Sequence, residues 1–583
     1  MSAVVPPLAQ QVRAVAPTPT ARVRAAYETL RAGERDDSGR PEAWITLRAE
    51  TDVLRDAAAV EERQAAGATL PLAGTVVAVK NNIDVAGFTT TCASRAVDRV
   101  PDAHATAVQR LVDAGAVVLG TTNLDQFATG LVGARSPFGA VRAVHDPELV
   151  SGGSSSGSAV VVALGVVDAA LGTDTAGSGR VPAAFNGIVG IKPTLGLVPT
   201  RGVVPAAPSF DTISVFARDV ATAERFVAVA SGIDPDDPTS RDWPADAPHA
   251  ARPTPRLVVP DDASLAALSP TWRQAFAEAV ARWADLGAVI DVADIRSLLD
   301  AGALLYDGAL VAERAAAFGA LVAAADDADP SVASIARGGA AIRATDYVED
   351  RQRLRAAAAH ARRLLTDADA LVIPSVPNHP SLAAVAADPI GVNSALGRFT
   401  NFVNLTDLSA VAVPAGAVDG GPFGITLIAP AFHDAVLVDL AHRFATTSSP
   451  ALWGPPGTEV AVFGAHMSGQ PLNEQLTRLG GRLLGDVVTA PEYRMRALPT
   501  VPAKPGLVRV GAGGRPVRGE RWLLSPVALA ALVADLVEPM VLGRIRTDDG
   551  STVAGFLCEP IVAETGDDIT DLGDWRAYLR TAR

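Results

Sequence analysis

Cysteine is nearly absent: Cys92 and Cys558 are the only two in 583 residues, and they lie far apart. That leaves no disulfide framework and no cysteine-based zinc site, and fits a reducing cytosol. Basic residues are outnumbered, 50 Lys and Arg against 64 Asp and Glu, for a formal net charge of -14. A nucleic-acid binder would carry a basic face, so that class is set aside, although one buried arginine can still receive an anion. Long apolar runs are missing too. The most apolar stretch, Ala159 to Leu171, is interrupted by Asp168 and falls short of the ~20 residues of a membrane span. It reads as a buried helix. The N-terminal MSAVVPPLAQQVRAVAPTPT lacks the basic start and unbroken apolar run of a signal peptide. The expectation is a soluble, cytoplasmic protein.

What is present suffices for a large core: 49% of residues are hydrophobic and 20% charged, on a chain long enough for two domains. Residues from about 20 to 66 have the amphipathic spacing of helices. A β-branched run, Thr75 to Val79, then ends at Lys80. A helix over Ala105 to Asp113 stops at Gly115, and further apolar runs follow at Ala116 to Gly120, Gly187 to Ile191 and Ala370 to Ile373. This alternation predicts an α/β fold with a mixed, mostly buried sheet covered by helices. Proline, glycine and small polar residues between Thr446 and Val460 mark a domain boundary. The expected division is a first domain over 1–450 (its helical N-terminal part about 1–66), a linker over 451–459 and a strand-rich α+β domain over 460–583. The Asp- and Pro-rich segment Ser231 to Thr254 reads as a surface loop of the first domain.

Three segments carry chemistry. AVKNNIDVAG sets Lys80 at the end of an apolar strand. SGGSSSGSAVVVALG feeds a Gly/Ser loop into an apolar helix, and GTDTAGSGRVPAA centres a second small-residue loop on Ser178. Singly, each has a bland reading: a solvated lysine, a flexible linker, a helix N-terminus. Gly153 to Gly157 also matches the G-x-S-x-G elbow, which would require a histidine such as His360, His379, His433 or His442. Together, in this order and spacing, the segments resemble the amidase signature family from about Val76 through GIVGIKPT. The resemblance implies a triad of Lys80, Ser154 (after a cis peptide) and Ser178. It also implies an oxyanion hole at Thr175, Ala176, Gly177 and Ser178, with no metal and no cofactor. The family commonly has aspartate straight after the lysine, where this chain has Asn81.

The chemistry is sound. A serine hydroxyl needs a base to remove its proton as it attacks. A lysine of ordinary pKa is neutral only about once in 2,500 at pH 7, a cost of roughly 4.6 kcal/mol. Burial removes much of that cost, so the lysine should sit at a dry strand end.

The loop TTNLDQFATGLVGARSPFG, the segment LLYDGALVAERAAAF and the tail motifs FGAHMSGQPLN, AKPGLVRV, GFLCEP and DITDLGDWRAYL resemble the allophanate hydrolases within that family. This implies cleavage of allophanate (urea-1-carboxylate) to ammonia and carbon dioxide, with Gly130, Tyr306 and Arg314 binding substrate. It also implies a tail of γ-glutamylcyclotransferase-like fold in which His466 handles the first product; Tyr493, Glu520 and Arg544 are further candidates for that cavity. The implied partners are a second copy in a homodimer and a separate biotin-dependent urea carboxylase, since no biotin-carrier motif is present. Two alternatives stay open: an amidase for another small amide (biuret, a carbamate), or the amidase-fold component of a tRNA amidotransferase complex.

Overall fold

The computed structural model describes residues 18–36, 38–448, 453–563 and 565–581. The leader examined for a signal peptide lies largely outside them, as do residues 451 and 452 of the expected linker. Among the described residues two compact units emerge, one built from those up to 242 and from those between 254 and 453, the other from 243–253 and those from 454 onward.

In the larger unit, eleven strands among the described residues form one sheet: β1 Trp44–Leu47, β2 Val76–Lys80, β3 Val117–Thr122, β4 Ala169–Asp174, β5 Val189–Lys192, β6 Thr212–Ala217, β7 Arg256–Pro260, β8 Val289–Ala293, β9 Ala370–Pro374, β10 Leu408–Val418 and β11 Gly421–Pro430. Their order is β1-β3-β2-β4-β6-β5-β10-β11-β9-β7-β8. β3, β2 and β4 run parallel, as do β9, β7 and β8, and the strands between are antiparallel, so the sheet is mixed as expected. β2 to β6 are buried throughout, which explains their mostly apolar or small-residue composition, with the charged Lys80, Asp174 and Lys192 at the ends of β2, β4 and β5.

The parallel trio positions the site. Val76 pairs with Val117 and Lys80 with Thr122 across β2 and β3, and Val79 pairs with Leu171 of β4. The carboxyl ends of three parallel strands therefore open on one edge, the usual place for a ligand in such sheets.

Two local readings need correction. Residues 20–66 are not continuously helical: helices Pro19–Asp36 and Glu50–Ala65 flank β1. β1 pairs antiparallel with β3, a tertiary contact that overrides local propensity. Ala159 to Leu171 is not one helix either. Helix Ser156–Ala163 ends, and β4 starts at Ala169. Asp168, the interrupting charge, accepts from Val76 N at 2.8 Å and pairs with Arg22 at 3.0 Å, which fixes the turn between them.

The smaller unit holds a five-stranded sheet in the order Arg482–Val488, Arg518–Leu524, Thr458–Val462, Thr552–Cys558, Met540–Arg546, and a three-stranded one of Lys504–Arg509, Tyr493–Leu498 and Asp567–Asp568. Trp522, Trp575, Tyr493 and Met495 fill its core. The first of these strands in the chain begins at Thr458, inside the expected linker. Residues 243–253 group with this unit instead of looping over the first; there, His249 N donates to Gly480 O at 2.8 Å and Arg482 Nε to His249 O at 2.9 Å.

Candidate active site

Lys80, Ser154 and Ser178 meet. The Lys80 amine donates to Ser154 Oγ at 2.8 Å, and Ser154 Oγ donates to Ser178 Oγ at 3.0 Å. Lys80 and Ser154 are wholly buried and Ser178 almost so. The Gly153–Ser154 peptide is cis, as the resemblance implied. A side chain at Gly153 would collide with the Asp125 carboxylate, so the loop can approach that closely only as glycine. A contact not anticipated from sequence completes the amine's surroundings: it donates to Thr173 Oγ1 at 2.7 Å.

Desolvation lowers the Lys80 pKa from 10.5 to about 7, against the opposing pull of Asp125, Asp211, Asp174 and Cys92. A lysine at that value supplies neutral amine near physiological pH, which a base for a serine hydroxyl must do. Asp125, whose pKa burial raises despite Arg135, accepts from the N–H groups of Gly133 and Arg135 at 3.0 and 2.9 Å. Its own N–H donates to Ser154 O at 3.1 Å.

The turn after β4 carries the second serine. Asp174 is fully buried, yet Arg180 and backbone donors outweigh that burial and hold its pKa below the ordinary range. It pairs with Arg180 at 2.9 Å and accepts from Gly177 N and Gly179 N, both at 2.9 Å. Gly177 was expected among the oxyanion donors, but its N–H is spoken for by Asp174. The N–H groups of Thr175, Ala176 and Ser178 have no acceptor among the described residues. Gly177 has φ +136° and sits directly under Thr400, a conformation and a contact that exclude a side chain.

Asn81 is matched to its place as an amide. Its nitrogen donates to Thr89 O and Thr121 Oγ1, both at 2.9 Å, and its oxygen accepts from Thr91 N at 2.7 Å and Thr91 Oγ1 at 2.6 Å. An aspartate could accept but not donate here.

Arg314, on helix Ala312–Ala323, is fully buried, and none of its three guanidinium nitrogens has a hydrogen-bond partner among the described residues. Its Cζ lies 4.6 Å from the centre of the Tyr306 ring. The neighbouring Glu313 does not neutralise it: that carboxylate accepts from Ser209 N at 2.9 Å and the Tyr347 hydroxyl at 2.7 Å. A buried cation without an acceptor is costly. Gly130 is buried beside Asp125, whose carboxylate leaves no room for a side chain there.

The sequence matches the amidase family model over residues 35–438 and the allophanate hydrolase C-terminal domain model over 458–580. The chain belongs to the amidase family. It is 38% identical over 576 residues to a urea amidolyase of Saccharomyces cerevisiae, covering 92% of this chain and 31% of that relative. The chain thus spans about a third of the length of that relative. It superposes on the Kluyveromyces lactis allophanate hydrolase with a TM-score of 0.85 at 36% identity, covering 97% of both chains. A glutamyl-tRNA(Gln) amidotransferase component of Symbiobacterium thermophilum is 36% identical over 435 residues, 69% of this chain and 88% of that relative.

In this chain the G-x-S-x-G alternative fails. Ser155 Oγ donates to Thr173 O at 3.0 Å, while His379 bonds Val150 O at 2.7 Å and His442 pairs with Glu224 at 3.0 Å.

The C-terminal unit has a cavity of about 180 Å³ whose lining includes His466, Gln475, Lys504 and Phe556. His466 Nε2 bonds Gln475 Oε1 at 2.9 Å, and its ring stacks on Phe556 at 4.8 Å. Burial lowers its pKa below the ordinary value. Tyr493, Glu520 and Arg544 do not line the cavity. Tyr493 packs in the core and its hydroxyl accepts from Arg546 N at 2.8 Å. Glu520 is held by Ser468 N at 2.7 Å, Trp522 Nε1 at 3.1 Å and Arg576.

Sequence reading missed Thr173, Asp125 and Asp211. One unused signal lay in the composition: the chain has three lysines, Lys80, Lys192 and Lys504. Two of them are fully buried, and the third lines the cavity of His466. Where arginine serves nearly every surface need, a retained lysine marks a place that arginine cannot fill.

Proposed function

We propose that this chain hydrolyses allophanate. Ser178 attacks the terminal carbonyl while its proton passes through Ser154 to Lys80. The C–N bond to the terminal nitrogen breaks and ammonia leaves carrying that proton, with the acyl group left on Ser178. Water, deprotonated by the same relay, then releases N-carboxycarbamate. The unengaged amides of Thr175, Ala176 and Ser178 stabilise the oxyanion; one such donor is typically worth ~3–4 kcal/mol. Arg314, backed by Tyr306, holds the substrate carboxylate, with Gly130 at the same site.

The observation that carries this reading is the buried guanidinium of Arg314, without an acceptor among the described residues, in a chain whose net charge is negative. It favours a small anion over biuret or another neutral amide. The tail favours it over an amidotransferase component: the allophanate hydrolase C-terminal model spans 458–580. In that tail, His466 with Lys504 takes up N-carboxycarbamate and assists loss of carbon dioxide.

The reading also includes a larger amidase domain and a smaller C-terminal domain whose first strand begins at Thr458, action in the cytoplasm as a homodimer, and supply of substrate by a biotin-dependent urea carboxylase. Both cysteines are free. Among the described residues no helix is long and apolar enough to cross a membrane.

The test is ammonia release from allophanate by the purified chain. Ser178→Ala should abolish it; full activity in that variant rejects the mechanism, and activity on neutral amides alone rejects the substrate.

A further inference from the structure

The turn bearing Ser178 is pinned from two sides. Asp174 holds Gly177 N, Gly179 N and Arg180 from below. On the other side the Thr175 hydroxyl donates to Asp211. Asp211 also accepts from Ala206 N at 2.8 Å and Ala207 N at 3.1 Å. It directly precedes β6, whose Thr212 pairs with Asp174 of β4, so sheet register sets the carboxylate opposite Thr175.

Its charge works against the site. Asp211 tends to keep Lys80 protonated, and it sits where Arg314 feels it, next to the place of an incoming anion. Burial lifts its own pKa to about 6. A carboxylate at such a position is accounted for by what it holds: three donors converge on it, and only an acceptor-only group satisfies them together.

We propose that Asp211 is a positioning residue for amide cleavage, fixing through the Thr175 hydroxyl the turn whose free Thr175 and Ala176 amides face the developing oxyanion. This rests on Ser178 being the nucleophile. Thr175→Val removes the tether and leaves the charge. Asp211→Asn removes the charge and replaces one accepting oxygen with a donor. Thr175→Ser restores the hydroxyl.

The experiment is steady-state kinetics of the full chain on allophanate across pH. Thr175→Val should lower kcat by roughly ten- to a hundredfold with KM nearly unchanged, because the lost alignment matters only when the oxyanion forms. Thr175→Ser should recover most of it, which a generally damaged fold would not. Asp211→Asn should also lower kcat. The groups acting on Lys80 are Asp125, Asp211, Asp174 and Cys92; with one charge gone, the rising limb of kcat/KM should move to lower pH. Thr175→Val with kcat within about twofold of the parent, beside an inactive Ser178→Ala, overturns the proposal. Should the parent cleave a different amide but not allophanate, the same kcat deficit on that amide upholds the positioning role while the substrate assignment falls.

Discussion

Lys80 donates to Thr173 Oγ1 at 2.7 Å as well as to Ser154 at 2.8 Å, so two hydroxyls orient one buried amine. Ser155 Oγ accepts from Thr173 N at 3.3 Å and donates to Thr173 O at 3.0 Å, which holds that residue's backbone. Thr173→Val should lower kcat by about three- to tenfold, the effect of one hydrogen bond of ~0.5–1.5 kcal/mol. Single-turnover acylation rates check this, with KM expected to stay put.

The pH dependence follows from the same amine. Lys80 accepts a proton only when neutral, and its pKa is lowered to about 7. Activity should rise with pH through about 7 and fall below it. The linked stability runs in the same direction: between about 7 and 10.5 the unfolded lysine binds a proton that the folded one does not. Stability from this group therefore grows as pH rises through that window, and is absent at pH 7 and below. Lys80→Met should be inactive yet melt at a higher temperature than the parent at pH 6. A lower melting temperature would contradict the cost assigned to the buried ammonium.

The buried nitrogens of Arg314 have no acceptor among the described residues. Arg314→Ala should lower kcat/KM for allophanate by roughly a hundredfold or more, since hydrogen bonds to charged groups are worth ~1.5–3 kcal/mol each. Neutral amides should change little. A uniform loss across both substrate types would make Arg314 a structural residue instead.

Asn81→Asp tests whether this position requires an amide. The new carboxylate would face Thr89 O, replacing a donor with a buried charge. Destabilisation of at least ~1–3 kcal/mol is expected, together with a higher Lys80 pKa. Urea denaturation and the pH profile read the two effects separately.

In the C-terminal cavity, His466→Ala or Lys504→Ala should leave the first ammonia unaffected and delay the second. A time course of ammonia against carbon dioxide distinguishes this from loss of the amidase step. Unchanged curves would leave the cavity outside the reaction.

Much of this was legible in order along the chain. The β-branched run ending at Lys80, the two Gly/Ser loops and the tail motifs are local signals: strand propensity, glycine's tolerance of close approach and motif spacing act within a few residues. The sequence by itself therefore determined the mixed α/β architecture, the amidase family, and which amine and hydroxyls to watch. Other features depend on partners far away in the chain. Only the fold pairs Trp44–Leu47 with β3, ends the Ala159 to Leu171 run at Asp168 and attaches residues 243–253 to the smaller unit. Likewise, only packing could reveal that Asp174 occupies the Gly177 amide, that Asp211 holds Thr175, and that Arg314 has no acceptor among the described residues. The physical reason is that hydrogen-bond satisfaction and desolvation are properties of surroundings assembled across the sheet, and no stretch of sequence carries its own surroundings.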